Sequence, residues 1–242
     1  AHCVVEIPTW GKLWLCMMNL YDYEGVHPIS PEIWLLPEWA PVHPRRFYCH
    51  TRLIYMGFSY LYGTRFQAPL SPVIEELRGE LYPDGFAIVD WPAQRSALAE
   101  TDTYQAPNTV LRAGFYAAGL FEKVAPALSR RYALKRVLER IVWEERTSNY
   151  AGISPVNGTL NALALHAAGH ADAQKAFEGI DYWMWDDEEE GLRIAGASSN
   201  TWDTSFAVQA IADGPLKDQY ADVLSKMYGF LDDNQVRREL PG

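Results

Sequence analysis

The chain has 242 residues, 31 acidic against 21 basic side chains for a formal net charge of −10, and a hydrophobic fraction of 48%. That composition excludes a disordered or fibrous chain and supplies apolar material for one domain or two small ones. The acidic balance excludes a nucleic-acid reader, because affinity for a phosphate backbone comes largely from clustered Lys and Arg.

Apolar residues recur at helical spacing over most of the length, with hardly any strand-like alternation. In chain order the pattern predicts helices over Gly11 to Tyr21, Tyr48 to Tyr62, Pro72 to Tyr82, Thr109 to Val124 and Leu128 to Thr147. It continues over Val156 to His170, Asp172 to Trp185, Thr204 to Ala212 and Lys217 to Asp233. Ser71-Pro72 and Ser154-Pro155 each place a cap residue before a first-turn proline, and Asp203 or Thr204 can cap the helix after Trp202. Between the first two helices, Pro28, Pro31, Pro37, Pro41 and Pro44 forbid a long helix, yet Trp34, Leu35, Leu36 and Trp39 call for burial. The stretch Val26 to Arg46 is therefore expected to be an ordered, packed loop. The fold class is all-α. Helices paired through short turns fit an α/α barrel (toroid) or solenoid as well as a bundle.

Cys3, Cys16 and Cys49 are an odd number for a disulfide framework and form no CxxC pair, so they are expected to be reduced thiols. The longest apolar runs, such as Leu13 to Met18, fall far short of the roughly 20 residues of a membrane span. There is no initiator Met and no basic-then-apolar leader, and the first residues resemble the middle of a fold. The expectation is a segment of a longer protein.

The acidic run Asp186 to Glu190 has the carboxylate density of a magnesium-diphosphate site, but its place between helices favours a solvated turn. His166 and His170 have the i, i+4 spacing of a zinc pair, but Ala167, Ala168 and Gly169 between them offer no glutamate base. No GxSxG, P-loop or GxGxxG occurs, so serine-hydrolase, nucleotide-hydrolase and dinucleotide chemistries have no motif here. What remains is a surplus of rings: nine Trp, fourteen Tyr and nine Phe. Most belong in the core. Some sit among polar or helix-breaking neighbours, as Trp10 before Gly11-Lys12, Tyr48 beside Cys49-His50, and Trp202 before Asp203. Ring faces lining a cavity can stabilise a carbocation by cation-π attraction.

The residues also carry a resemblance. Pro8-Thr-Trp-Gly-Lys-Leu-Trp-Leu, Asn19-Leu-Tyr-Asp-Tyr-Glu-Gly, Pro31-Glu-Ile-Trp-Leu-Leu-Pro-Glu-Trp-Ala-Pro-Val-His-Pro and Tyr48-Cys-His-Thr-Arg-Leu-Ile-Tyr resemble the oxidosqualene cyclases, the lanosterol and cycloartenol synthase family. The likeness continues through Asp90-Trp-Pro-Ala-Gln-Arg, Ile153-Ser-Pro-Val-Asn-Gly-Thr-Leu-Asn, Asp181-Tyr-Trp-Met-Trp and Trp202-Asp-Thr-Ser-Phe. It spans residues 1–242 as one partial α/α-barrel region, truncated at both ends.

The resemblance implies an isomerase that folds 2,3-oxidosqualene into a sterol or triterpene alcohol without any cofactor, and no metal. It implies an intracellular, monotopic enzyme on a membrane surface and, as partner, the missing remainder of the same polypeptide. The family's acid is an Asp in a DCTAE motif, which these residues lack. Lys226-Met-Tyr-Gly-Phe-Leu with Gln235 resembles the opening of the family's QW repeat. By the same resemblance Trp10 matches a cavity-wall tryptophan, His50 the histidine near the C/D-ring cation, and Tyr48 a position that often carries Trp. Tyr55 and Thr51 match the constriction between substrate channel and cavity. Pro155 and Val156 match a wall segment, and Trp202 a tryptophan that stabilises the cation.

Two departures bear on product: Gly57-Phe58 stands where the family has Pro-Met, and Gly196 occupies a variable position that goes with different products. Within this segment His50, Tyr48 and Trp202 are the residues expected to act on the cation. His50 is expected either to orient a tyrosine or to accept the final proton, against the plainer role of a hydrogen-bonded core histidine. The Tyr55 to Tyr62 stretch is expected to be either a membrane-facing apolar patch or helix core. The alternatives are a squalene-hopene-type cyclase segment, favoured less by the Glu38 to Pro44 and Tyr48 to Arg52 motifs, and a non-catalytic α/α-toroid binding or scaffold protein.

Overall fold

The computed structural model describes residues 4–196, 200–235 and 237. The chain divides into two units, Ala1–Ala195 and Gly196–Gly242. In the first, the helices are α1 (Thr9–Met17), α2 (Cys49–Thr64), α3 (Pro72–Leu81), α4 (Thr109–Val124), α5 (Ala127–Thr147), α6 (Pro155–Ala167) and α7 (Ala173–Gly179). Both Ser-Pro starts cap as expected. Ser71 accepts from the Ile74 amide, and Ser154 forms a reciprocal capping box with Asn157.

Two sequence expectations are corrected in this unit. The helix expected to run to Trp185 stops at Gly179, passes through a 3-10 turn (Ile180–Trp183), and becomes a hairpin of β1 (Met184–Asp187) and β2 (Gly191–Ile194). The cause lies in the acidic run. Asp187 Oδ1 accepts from the Glu189 and Glu190 amides at 3.0 and 2.9 Å and closes the turn, Gly191 takes a φ of +76°, and Arg193 pairs with Glu190. The run is thus a hairpin turn rather than a link between helices.

The proline-rich loop is ordered as 3-10 turns at Pro31–Leu35 and Pro44–Arg46, and Trp34 is buried with its indole N–H on Ser59 Oγ at 3.0 Å. Trp39 and Leu36, however, are exposed, because the turn after Leu35 swings them outward. Of the two readings of the Tyr55 to Tyr62 stretch, helix core is the one that holds, since residues 56–62 are all buried.

Helix α2 occupies the middle of the first unit. It packs on α6, α5, α1 and the Pro31–Leu35 turn. Its approach to α6 is close because position 57 has no side chain: a Cβ there would stand 2.6 Å from Leu160 Cβ. Helix α1 is fixed by Lys12, which is buried and donates from Nζ to the carbonyls of Gln94 and Ala97, both at 2.7 Å. Burial lowers its pKa to about 8. Helix α4 buries no residue of its own and is tied in by charge. Glu122 receives Arg130, which also bonds Glu32, and it takes further bonds from Arg65 and Ser30.

In the second unit α8 (Asn200–Ala212) packs on α9 (Ala221–Asp233), and neither buries a residue. Helix α8 opens at Asn200, so Asp203 lies within the first turn, favourable for the helix dipole, rather than capping it. The likened QW-repeat stretch Lys226 to Leu231 lies in α9.

Gly57→Ala is expected to cost about 1–3 kcal/mol by overpacking, since the atom it meets is a Leu Cβ anchored to its own helix. A urea titration of the two chains checks this. Coincident midpoints would mean that the α2–α6 seam is looser than the geometry shows.

Candidate functional site

Tyr48 ends the proline-rich loop and precedes α2, whose first turn carries Cys49, His50 and Thr51. The Tyr48 and His50 rings stack with centroids 5.2 Å apart and planes 17° apart, and His50 Nδ1 lies 3.4 Å from Cys49 Sγ. His50 is half-buried and Tyr48 largely exposed, so this is a shelf at the helix start rather than a sealed core histidine. One turn further, Tyr55 shares the helix face of half-buried Thr51 by i, i+4 spacing. Phe47 meets Tyr55 edge-on at 5.9 Å.

Helix α1 brings Trp10 to the same place. Its indole lies near the Tyr55 hydroxyl, and its ring packs edge-on against Phe58 at 5.9 Å, as does Trp14 at 5.8 Å. Burial pushes the Tyr55 phenol up, and the nearby Trp10 indole partly offsets this. The structure therefore joins Trp10 and Tyr55 in one aromatic cluster. On its other side Tyr55 faces a cleft of about 550 Å³ with a largely apolar lining that includes Ile33, Trp34, Phe47 and Phe121. Leu36, Trp39 and Val42, all exposed, follow in the same loop.

Pro155 and Val156 form the first turn of α6, half-buried, with Val156 packed on the core. Gly196 and Trp202 belong to the second unit. Trp202 is largely exposed and meets Phe206 edge-on at 6.3 Å, and a Cβ at Gly196 would touch nothing within 4 Å. The stretch that joins them, 197–199, lies outside the described residues, as does Cys3.

The histidine pair set aside in the sequence has structural partners. His166 lies edge-on to Phe66 and Phe177, and His170 Nδ1 accepts from the Asp172 amide at 3.1 Å.

Sequence reasoning missed a buried acid pair. Ala133, Val137 and Ile141 mark the buried face of α5, and Glu144 and Glu145 continue it at the next i+3 and i+4. That continuation was the available signal. Asn157 Nδ2 donates to Glu144 Oε1 at 2.8 Å, and Asn161 Nδ2 donates to Glu144 Oε2 and, at 2.9 Å, to Glu145 Oε1. The remaining Glu145 Oε2 and Asn161 Oδ1 are buried without a partner. Burial, opposed by the Asn161 bond and reinforced by the Glu144 charge, raises the Glu145 pKa to about 7. Burial also raises that of Glu144, against the two amide bonds.

A family model described as the squalene-hopene cyclase N-terminal domain matches residues 3–189. Lanosterol synthase of Homo sapiens is 36% identical over 238 residues, covering 96% of this chain and 32% of that protein. The chain belongs to the oxidosqualene cyclase family. Lanosterol synthase of Pneumocystis carinii is 34% identical over 97% of the chain and 33% of its own length, and cycloartenol synthase of Dictyostelium discoideum 31% over 95% and 33%. The cyclase-family chain thus spans about a third of the length of these curated relatives.

Cys49 in this cyclase segment is exposed, whereas Cys16 is fully buried and burial pushes its thiol up, with Asp22 adding to the shift. A small alkylating reagent is expected to modify Cys49 in the folded chain and Cys16 only after denaturation, read by peptide mass spectrometry. Equal labelling of both in the native chain would contradict the packing of α1.

Proposed function

We propose that these residues supply wall and gate to a cavity in which 2,3-oxidosqualene is cyclised to a sterol or triterpene alcohol, the acid coming from elsewhere in the polypeptide. The observation that carries this is the position of Tyr55, edge-on to Phe47 and near Trp10 within an aromatic cluster on one side and lining an apolar cleft on the other. A squalene-type chain can pass such a cleft, since a hydrocarbon loses nothing there and gains by leaving water. Ring closure moves positive charge along the substrate, and Trp and Tyr faces stabilise it without supplying a nucleophile to trap it.

Trp10, Tyr48 and Trp202 are assigned that role. Thr51 and Tyr55 gate the entrance, and Pro155 and Val156 shape the wall. His50, half-buried and stacked on Tyr48, either orients a tyrosine or takes the final proton. Gly196 is assigned to product choice. The cyclisation is an isomerisation in which no electrons enter or leave, so no redox cofactor is required.

A lipid substrate requires access to a bilayer. No helix among the described residues is long and apolar enough to cross a membrane. Surface docking is assigned instead to the exposed Leu36, Trp39 and Val42, which follow one another along the loop that lines the cleft.

The test is to express the complete reading frame that contains these residues, supply 2,3-oxidosqualene, and identify products by mass spectrometry, with Trp202→Ala beside the parent. One dominant cyclic alcohol from the parent, and loss or scattering of product in the variant by up to roughly 30-fold for a lost cation-π contact of up to about 2 kcal/mol, is the expected result. Consumption of squalene alone would favour the squalene-hopene-type reaction, and consumption of neither would overturn the cyclase reading in favour of a binding or scaffold role.

A further inference from the structure

We propose that Glu145 is held as a neutral carboxylic acid, bonded through both its oxygens to the side chain of Asn161, and that this proton positions the wall segment Ile153 to Val156. The geometry supplies one leg of the pair directly: Asn161 Nδ2 donates to Glu145 Oε1 at 2.9 Å. The two atoms left over, Glu145 Oε2 and Asn161 Oδ1, are both buried, both acceptors, and both without a partner. A carboxylate cannot satisfy either. A proton on Oε2 makes it a donor toward the amide oxygen and completes a cyclic acid–amide pair, which removes two unsatisfied buried groups at once.

Glu144 is the member that keeps the charge. Each of its oxygens accepts from an amide, Asn157 Nδ2 at 2.8 Å on one and Asn161 Nδ2 on the other. Two adjacent carboxylates sharing one amide nitrogen repel, so neutralising the one with a free oxygen is the less costly arrangement. The raised pKa of Glu145 agrees with this. Glu144 is the charge that acts on it. Helix α6 faces the pair with Asn157 and Asn161, and α2 reaches the same seam at Gly57, none of which titrates. The next ion pair, Arg146 with Asp172, lies on the exposed side of α5 beside His170.

The proton reaches the wall through Asn157. Its Nδ2 is held by Glu144, which fixes its Oδ1 to accept from the Ile153 amide at 3.1 Å, the Ser154 amide at 2.9 Å and Ser154 Oγ at 3.2 Å. Those bonds fix the entry to α6, where Pro155 and Val156 stand. If Glu145 ionises, the Glu144 side chain must move away from it, and Asn157 loses its anchor. Glu145 is therefore a positioning residue, and its link to product depends on the cyclase reading above.

The sign of the pH effect follows. The folded state holds the proton up to about pH 7, the unfolded chain only to about 4.5, so the contribution is full below the lower value and lost as pH rises through the upper. The experiment uses the protein from the complete reading frame, comparing parent and Glu145→Gln, whose amide keeps one acceptor and one donor toward Asn161.

Infrared difference spectra near pH 6 are expected to show a protonated-acid carbonyl band in the parent that is absent from the variant. Protection of the peptide spanning 150–158 against hydrogen exchange, taken relative to the intrinsic rate at each pH, is expected to fall in the parent between about pH 5 and pH 8 and to stay level in the variant. Should Glu145→Gln not fold, Glu145→Asp shifts the band instead of deleting it. No such band, or the same exchange response in parent and variant, overturns the proposal. The product mixture from 2,3-oxidosqualene is expected to broaden with rising pH in the parent alone. A frame that makes no cyclic product while the band is present removes the cyclase reading and leaves the proton on Glu145.

Discussion

Helix α2 and helix α6 come together at a glycine, and most of the first unit is arranged around that approach. A side chain at position 57 would drive a carbon into Leu160, so the two helix backbones meet there with nothing between them. Such closeness leaves no room for water, and polar groups on the seam must find partners in the protein. Asn161, one residue beyond Leu160, does so by reaching to α5, where Glu144 and Glu145 receive it. The third helix is recruited to the seam by hydrogen bonding as much as by apolar area. Burying the acids is costly, and the amides that offset the cost come from the same turns of α6 that form the capping box. Stability of the core and definition of the α6 entry are thus one feature.

The same helix α2 carries the aromatic site at its other end. Its buried half faces α5 and α6, and its first two turns present His50, Thr51 and Tyr55 to the loop and to α1. Rigidity at the seam is what gives those side chains a fixed frame. Tyr55 stands near Trp10 and is flanked by Phe47, so its position is set by α1 and by the end of the loop before α2. Lys12 extends the frame, since the carbonyls it holds belong to the turn at Pro92–Ser96 and pin α1, and with it Trp10, against the rest.

Much of this was legible from residue pattern. The boundaries of α4 agree with the periodicity at both ends, and the two Ser-Pro caps with their local chemistry, because those signals are short-range. The hairpin was not legible: Met184 to Asp187 is a short run next to a helix-like stretch, and only the closure of its turn by Asp187 makes it a strand. The exposure of Trp39 was misjudged because a large ring predicts burial on average, while direction is set by the turn before it. The aromatic cluster brings Trp10 near Tyr55, residues 45 positions apart, which no local pattern encodes. Glu144 and Glu145 belong to no motif, and the motif that holds Lys12 implies no role for it, although all three stand at positions whose helical neighbours are buried.

Charge on a buried stripe can nonetheless be recognised in a sequence. A charged residue on the apolar stripe of a helix is costly to bury, so its presence there implies a partner, and the search should run to whichever helix faces the stripe. For α5 that helix is α6, and the two asparagines at positions 157 and 161 stand one helical turn apart, the spacing needed to meet neighbouring carboxylates. Asn is a poor helix former, and two of them on the buried face of one helix would weaken it without compensation. The acids supply the compensation, and the asparagines in turn make the acids tolerable. Each pair accounts for the other, and together they place a titratable group a few residues from the segment that shapes the proposed cavity wall.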